Sequence, residues 1–196
     1  MSFLTGTNME LIYASTSPGT AKNTFTTEVL INDTAGMGVQ AHLPADFWLP
    51  NKAQSIGRGI RVVARGILSS TATPTFTFTL RLGAAGNITS VIALGSAALT
   101  TGSGVTNQLW EFEGDFILEA IGAAGTNSTI RGVGSIFCGG LASPFSFSLY
   151  GGAASPGTIA TLDTTIANYF NFNVACNTSS VSNTITLQEL LIFGLN

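Results

Sequence analysis

Apolar and polar residues alternate along most of the chain with a period of two, the spacing at which successive side chains leave opposite faces of an extended strand. In 75–82 the residues Phe76, Phe78, Leu80 and Leu82 share one face, and Thr77, Thr79 and Arg81 share the other. In 110–119 Trp110, Phe112, Phe116 and Leu118 point inward, Glu111, Glu113, Asp115 and Glu119 point outward, and Gly114 is expected to mark a bulge or bend. Residues 58–68 place Ile60, Val62, Ala64 and Leu68 on one face and Arg61, Val63, Arg65 and Ile67 on the other. The same logic predicts strands at 10–15, 25–31, 88–94, 129–137, 145–150, 168–176 and 183–193, about ten in all.

Turn-forming clusters separate these runs at 17–19, 83–87, 101–104 and 151–157, each rich in Gly, Ser, Asn or Pro. No segment carries a capped 3.6-residue period, although 43–50 has room for one helical turn between Pro44 and Pro50. There is no internal repeat and no heptad, which argues against a propeller, a β-helix or a coiled-coil stalk. A single all-β domain follows, an antiparallel two-sheet sandwich over 25–196 with 1–24 as an N-terminal arm or first strand.

Composition changes this picture in one respect. Only 9% of the 196 residues are charged, against about 25% in ordinary soluble domains, while the apolar share is 45%. Thr, Ser, Asn and Gly fill the missing positions, and such a surface suits burial between subunits better than the life of a free monomer. A net charge of -3, with Lys22, Lys52 and five Arg as the basic residues, argues against nucleic-acid binding. Every apolar run is interrupted before the roughly 18 residues a membrane helix needs, so no membrane association is expected. The N-terminus shows no secretory leader, which suits a chain that stays where it is made.

The chemistry on offer is narrow. His42 is the lone histidine, and with Asp46 four residues on it makes an acid/base pair only if the segment is helical. No nucleophile motif, phosphate loop or zinc helix accompanies it, so no catalytic residue, cofactor or metal is expected. Cys138 and Cys176 lack ligand spacing and read as core residues. The acidic row Glu111, Glu113, Asp115 and Glu119 is best explained by cross-strand pairing with Arg61, Arg65 and Arg81, which supplies register and interface specificity. Phe76, Phe78, Trp110, Phe112, Phe145, Phe147, Phe170 and Phe172 read as core. Phe47 and Trp48 sit in an apolar loop cluster, which serves either as a contact with a neighbour or as intramolecular packing. The candidate interface residues are therefore Phe47, Trp48, Arg61, Arg65, Arg81, Glu111 and Glu113.

The runs 57–66, 76–81 and 109–116, with the strand-like ending 183–196, resemble phage virion proteins built on a single jelly roll of the tumour-necrosis-factor-like kind. The resemblance implies a jelly-roll order of eight to ten strands, a homotrimer, and a capsid decoration (cement) or minor capsid protein. It further implies assembly onto the major capsid protein or other virion proteins in the host cytoplasm, with no catalytic residues to carry over. Two rivals remain: a tail or fibre receptor-binding component, and a carbohydrate-binding sandwich.

Overall fold

In the computed structural model the alternating segments zip into two antiparallel sheets. The structure describes residues 9–45, 47–48, 57–122, 127–142, 146–149 and 157–195, with backbone alone for 146–149 and 157–161. Sheet A runs β1 (Met9–Ala14), β13 (Thr184–Leu195), β4 (Gly59–Ser70), β8 (Val105–Ala120), β9 (Ser128–Cys138), β10 (Ser146–Leu149), with β11 (Gly157–Leu162) also on β9. Sheet B runs β2 (Val29–Leu30), β12 (Asn168–Cys176), β5 (Thr75–Gly83), β6 (Val91–Gly95), with β3 (His42–Leu43) on β12 and β7 (Leu99–Thr100) on β5.

The order is that of a jelly roll. Strands β1 and β13, β2 and β12, β4 and β8, and β5 and β6 pair within sheets ordered 1-13-4-8 and 2-12-5-6. The hairpin partner β9, with β10 and β11, lies between β8 and β12 in sequence and widens sheet A. Three sheet edges are held by two short strands in tandem: β10 and β11 along β9, β2 and β3 along β12, β6 and β7 along β5. Short edges of this kind discourage pairing with another chain.

Both inner faces are apolar as the alternation requires. Ile60, Val62, Ala64 and Leu68 of β4, Trp110, Phe112, Phe116 and Leu118 of β8, and Phe170, Phe172 and Val174 of β12 are at most 1% exposed. Trp110 from sheet A stacks on Phe172 from sheet B, with centroids 5.6 Å apart and planes at 20°. Phe78 and Phe112 close on the same pair at 5.3 and 5.1 Å. The ring of Trp110 lies over Gly66, where an added Cβ would meet it at 2.5 Å.

Three expectations are corrected. Gly114 makes no bulge, because the ladders Val62–Gly114–Gly134 run through it unbroken. It stays in phase with Phe112 and Phe116, and glycine is needed because a Cβ there would sit 2.6 Å from the Phe112 ring. The strand expected over 25–31 shrinks to β2, since residues 15–24 first follow β13 along its edge through Ser15–Leu190, Gly19–Leu187 and Lys22–Ile185 bonds before crossing to sheet B. The strand expected over 88–94 begins only at Val91, because Asn87 Oδ1 accepts from the amide and hydroxyl of Thr89 and holds a turn. In 43–50 Phe47 N closes a turn on Pro44 O at 3.0 Å, while Asp46, Leu49 and Pro50 lie outside the described residues. A helical turn not expected from the sequence is α1 (Thr34–Met37), where the Asp33 side chain caps the Gly36 amide at 3.0 Å.

A candidate interaction surface on sheet A

Outward positions of five adjacent strands align into lateral rows, because directly opposed residues on antiparallel strands point to the same side. One row reads Leu11, Phe193, Arg61, Asp115, Val133; the next reads Leu191, Val63, Glu113, Ser135; a third reads Glu189, Arg65, Glu111, Phe137.

Arg61 donates from Nε and Nη2 to both oxygens of Asp115 at 2.7 and 2.8 Å, and its Nη1 lies 3.2 Å from Glu113. Arg65 bridges Glu111 at 3.0 Å and Glu189 at 2.7 Å, and Arg131 meets Glu119 at 2.7 Å. The hydrogen bond to Asp115 holds the Arg61 guanidinium above its ordinary pKa, and those to Glu111 and Glu189 do the same for Arg65. These pairs are solvent-screened, so they set register far more than stability.

Large apolar side chains stand among the charges. Leu109, Ile117, Val133 and Phe137 are 40 to 56% exposed on the outer sides of β8 and β9, and Met9 and Leu11 of β1 are about half exposed at the far side of the same face. A shallow depression of ≈ 280 Å³ opens between them, bordered by Glu113, Asp115, Val133 and Ser135 above Gly114 and Gly134.

Arg81 does not join the acidic row, because β5 belongs to sheet B. There it makes a two-pronged pair with Glu28 at 2.8 and 2.7 Å and donates to Ser90 O at 2.7 Å. Phe47 and Trp48 pack edge to face at 4.6 Å and are 7% and 0% exposed, so in the single chain they offer no area to a neighbour. The Arg58 guanidinium lies 4.3 Å over the Phe47 ring and bonds the Phe47 carbonyl. His42 is in β3, opposite Tyr169, rather than on a helical turn, and Asp46 lies outside the described residues. Of the expected core aromatics, Phe145 lies outside the described residues and Phe147 is described by backbone alone. Cys138 and Cys176 are buried and free, and burial pushes both thiols up. Among the described residues, no three of His, Cys, Asp and Glu gather as a metal would require.

A second concavity, a cleft of ≈ 260 Å³, lies at one end of the sandwich between residues 82–91 and 162–168. Leu82, Val91 and Leu162 give it apolar walls, and Thr89, Ser90, Asp163 and Asn168 add polar groups.

Sequence reasoning missed Glu28, Arg131 and Glu189 as partners. Arg131 occupies an outward position of an alternating strand, which was a usable signal. Glu189, by contrast, follows a register shift after Leu187 that breaks the alternation, and Glu28 precedes β2 in a stretch whose pairing is set by the crossing between sheets.

No protein-family model matches the chain, and no curated protein matches it. Among solved structures it is similar to the CBM2 module of the evolved Dit of Lactobacillus casei BL23 phage J-1, with 12% identity, a TM-score of 0.35 and 98% of each chain covered. It is similar also to lectin I of Ulex europaeus in complex with a methyl glycoside of α-L-fucose, at 9% identity and TM-score 0.39 over 97% of this chain and 93% of that one. Peanut lectin follows at 10% identity and TM-score 0.31, covering 99% and 94%. These scores are low, and the sandwich assignment rests on the strand ladders themselves.

Proposed function

We propose that this chain is a non-enzymatic structural domain of a phage virion that works by adhesion, with the outer face of sheet A as its contact surface. The observation that carries the adhesive reading is the exposure of Leu109, Ile117, Val133 and Phe137 on one face, among charges that are already ion-paired. The virion assignment draws on the strand motifs and the jelly-roll order they run in. In its finer form the chain is a capsid decoration protein, a homotrimer whose contacts with the major capsid protein are repeated by particle symmetry, so that individually weak contacts add up. The test is rebinding of the purified chain to particles stripped of it. Wild type should co-sediment with the shell while Phe137→Asp stays in the supernatant, and native mass spectrometry should give three subunits. Equal rebinding by both chains would defeat the assignment of the face.

The cleft supports a second reading, a receptor-binding or carbohydrate-binding module, because apolar walls with a few hydroxyl and amide groups suit a sugar ring. Glycan-array binding that is lost in Asn168→Ala and kept in Phe137→Asp would favour it over adhesion to a shell.

A further inference from the structure

We infer that the outer face of sheet A docks a different protein, one whose contact area carries Arg or Lys among apolar side chains, and that copies of this chain do not meet through it. The inference rests on the adhesive reading and adds the chemistry of the partner.

The face is apolar enough to hold a partner. From Leu11 to Val133 it spans four strand spacings, about 19 Å, and from Leu109 to Ile117 eight residues, about 26 Å. That is about 500 Å² per side, below the roughly 800 Å² of a stable binary contact, so affinity comes from repetition within an assembly. The tandem short strands on β9 turn association away from that edge and toward the face.

Charge decides the partner. Five carboxylates on this face oppose three guanidiniums, which leaves two of the chain's three net negative charges here. Glu113 and Glu189 are the most exposed of the carboxylates, at 48 and 42%. A carboxylate offers about four acceptor positions, so each has room for an incoming N–H donor. The depression beside Glu113 and Asp115, walled on its other side by Val133, has room for the end of such a side chain.

A second copy lacks the complement among the described residues. Among the described residues, the cations off this face are already engaged: Lys22 with Asp33, Arg81 with Glu28 and Ser90 O, Arg58 with the carbonyl and ring of Phe47. Laying one copy's face on another's brings ten carboxylates to six guanidiniums, a net like charge on both sides that interfaces avoid.

The test uses the full chain and two fluorescent peptides, one alternating Arg with Leu and one alternating Glu with Leu, read by anisotropy, with sedimentation velocity on the same samples. The Arg–Leu peptide should bind wild type. Its affinity should fall about tenfold in Glu113→Gln/Glu189→Gln and in Val133→Ser/Phe137→Ser. It should weaken in about 0.5 M salt. The exposed control Val181→Ser should bind as wild type does, and the Glu–Leu peptide should not bind. Equal binding of both peptides, or affinity indifferent to the Glu→Gln changes, overturns the proposal. A wild-type oligomer that dissociates in Val133→Ser/Phe137→Ser would keep the adhesive reading and sink this one. An Arg–Leu peptide that fails to bind, together with sedimentation indifferent to those changes, would sink both.

Discussion

The carboxamide of Asn32 takes the place of a strand rung on β12: its Nδ2 donates to Phe170 O at 2.7 Å, and its Oδ1 accepts from Phe172 N at 2.9 Å. Ile31 N bonds Phe172 O on one side, and Phe170 N bonds Ala41 O on the other, so the edge of β12 stays satisfied while residues 33–40 loop away from it. Asn32→Ala should strand Phe172 N, leave Phe170 O with only the 3.4 Å bond from Gln40 Nε2, and cost about 1 to 3 kcal/mol. Urea denaturation should show the midpoint falling with an unchanged slope.

Gly66 and Gly104 separate two reasons for glycine. Gly66→Ala would set a Cβ 2.1 Å from Thr186 O and 2.5 Å from the Trp110 ring, where neither backbone nor buried indole has room to yield. A loss of about 3 kcal/mol is expected, seen as a melting temperature lower by about 6 to 12 °C. Gly104 has φ +68° and open space around it, so Gly104→Ala should cost only about 1 kcal/mol of backbone strain.

The two kinds of arginine should differ. Arg65 is solvent-screened, and Arg65→Ala should change stability by about 0 to 1 kcal/mol. Arg81 and Glu28 are 17 and 22% exposed, and Arg81→Ala also leaves Ser90 O without that donor, so about 2 kcal/mol is expected. Denaturation of both variants beside wild type, at low and high salt, checks the ranking.

Asp33 sets an acid limb. Burial pushes its carboxyl up, but hydrogen bonds from Lys22 and the Gly36 amide, the Lys22 charge and a Thr20 hydrogen bond outweigh that and hold it below 3.8. A depressed folded-state value gives stability that is present above the unfolded-state value and lost as pH falls through the folded one. Asp33→Asn keeps an N-cap acceptor while removing the ion pair, so it should be about 1 kcal/mol less stable at pH 7. That gap should close as the pH is lowered toward 2, as pH-dependent melting would show.

Cys138 and Cys176 are 0 and 1% exposed with thiols pushed up by burial. Neither should react with a thiol reagent at pH 8 in the native chain, and both should react in guanidinium. Fast labelling of the native protein would contradict their placement in the core.

Strand identity and facing were legible because they are local. The period of two in 75–82 and 110–119 reports which side of each strand is oily, and the buried Phe76, Phe78, Phe112 and Phe116 lie on the side so marked. The outward acidic row was readable for the same reason, as were two of the arginines that meet it, Arg61 and Arg65. Other features were not. Asn171 and Asn173 occupy outward positions of β12 yet are fully buried, because Gln40 and the 84–90 turn close over Asn171, donating to its Oδ1 and accepting from its Nδ2. Nothing near them in sequence announces that cover.

What the amino-acid order determined by itself was the long strands and their inner faces, while the short edge strands β3, β7 and β11 were set by the ladders they join. The fold decided which strands became neighbours: Arg81 went to Glu28 rather than to β8, Trp110 came to rest over Gly66, and Asn32 reached β12 across 138 residues. Facing depends on the residue two places away. Pairing depends on which closure of two sheets buries all the inner faces at once, a condition that no single segment contains.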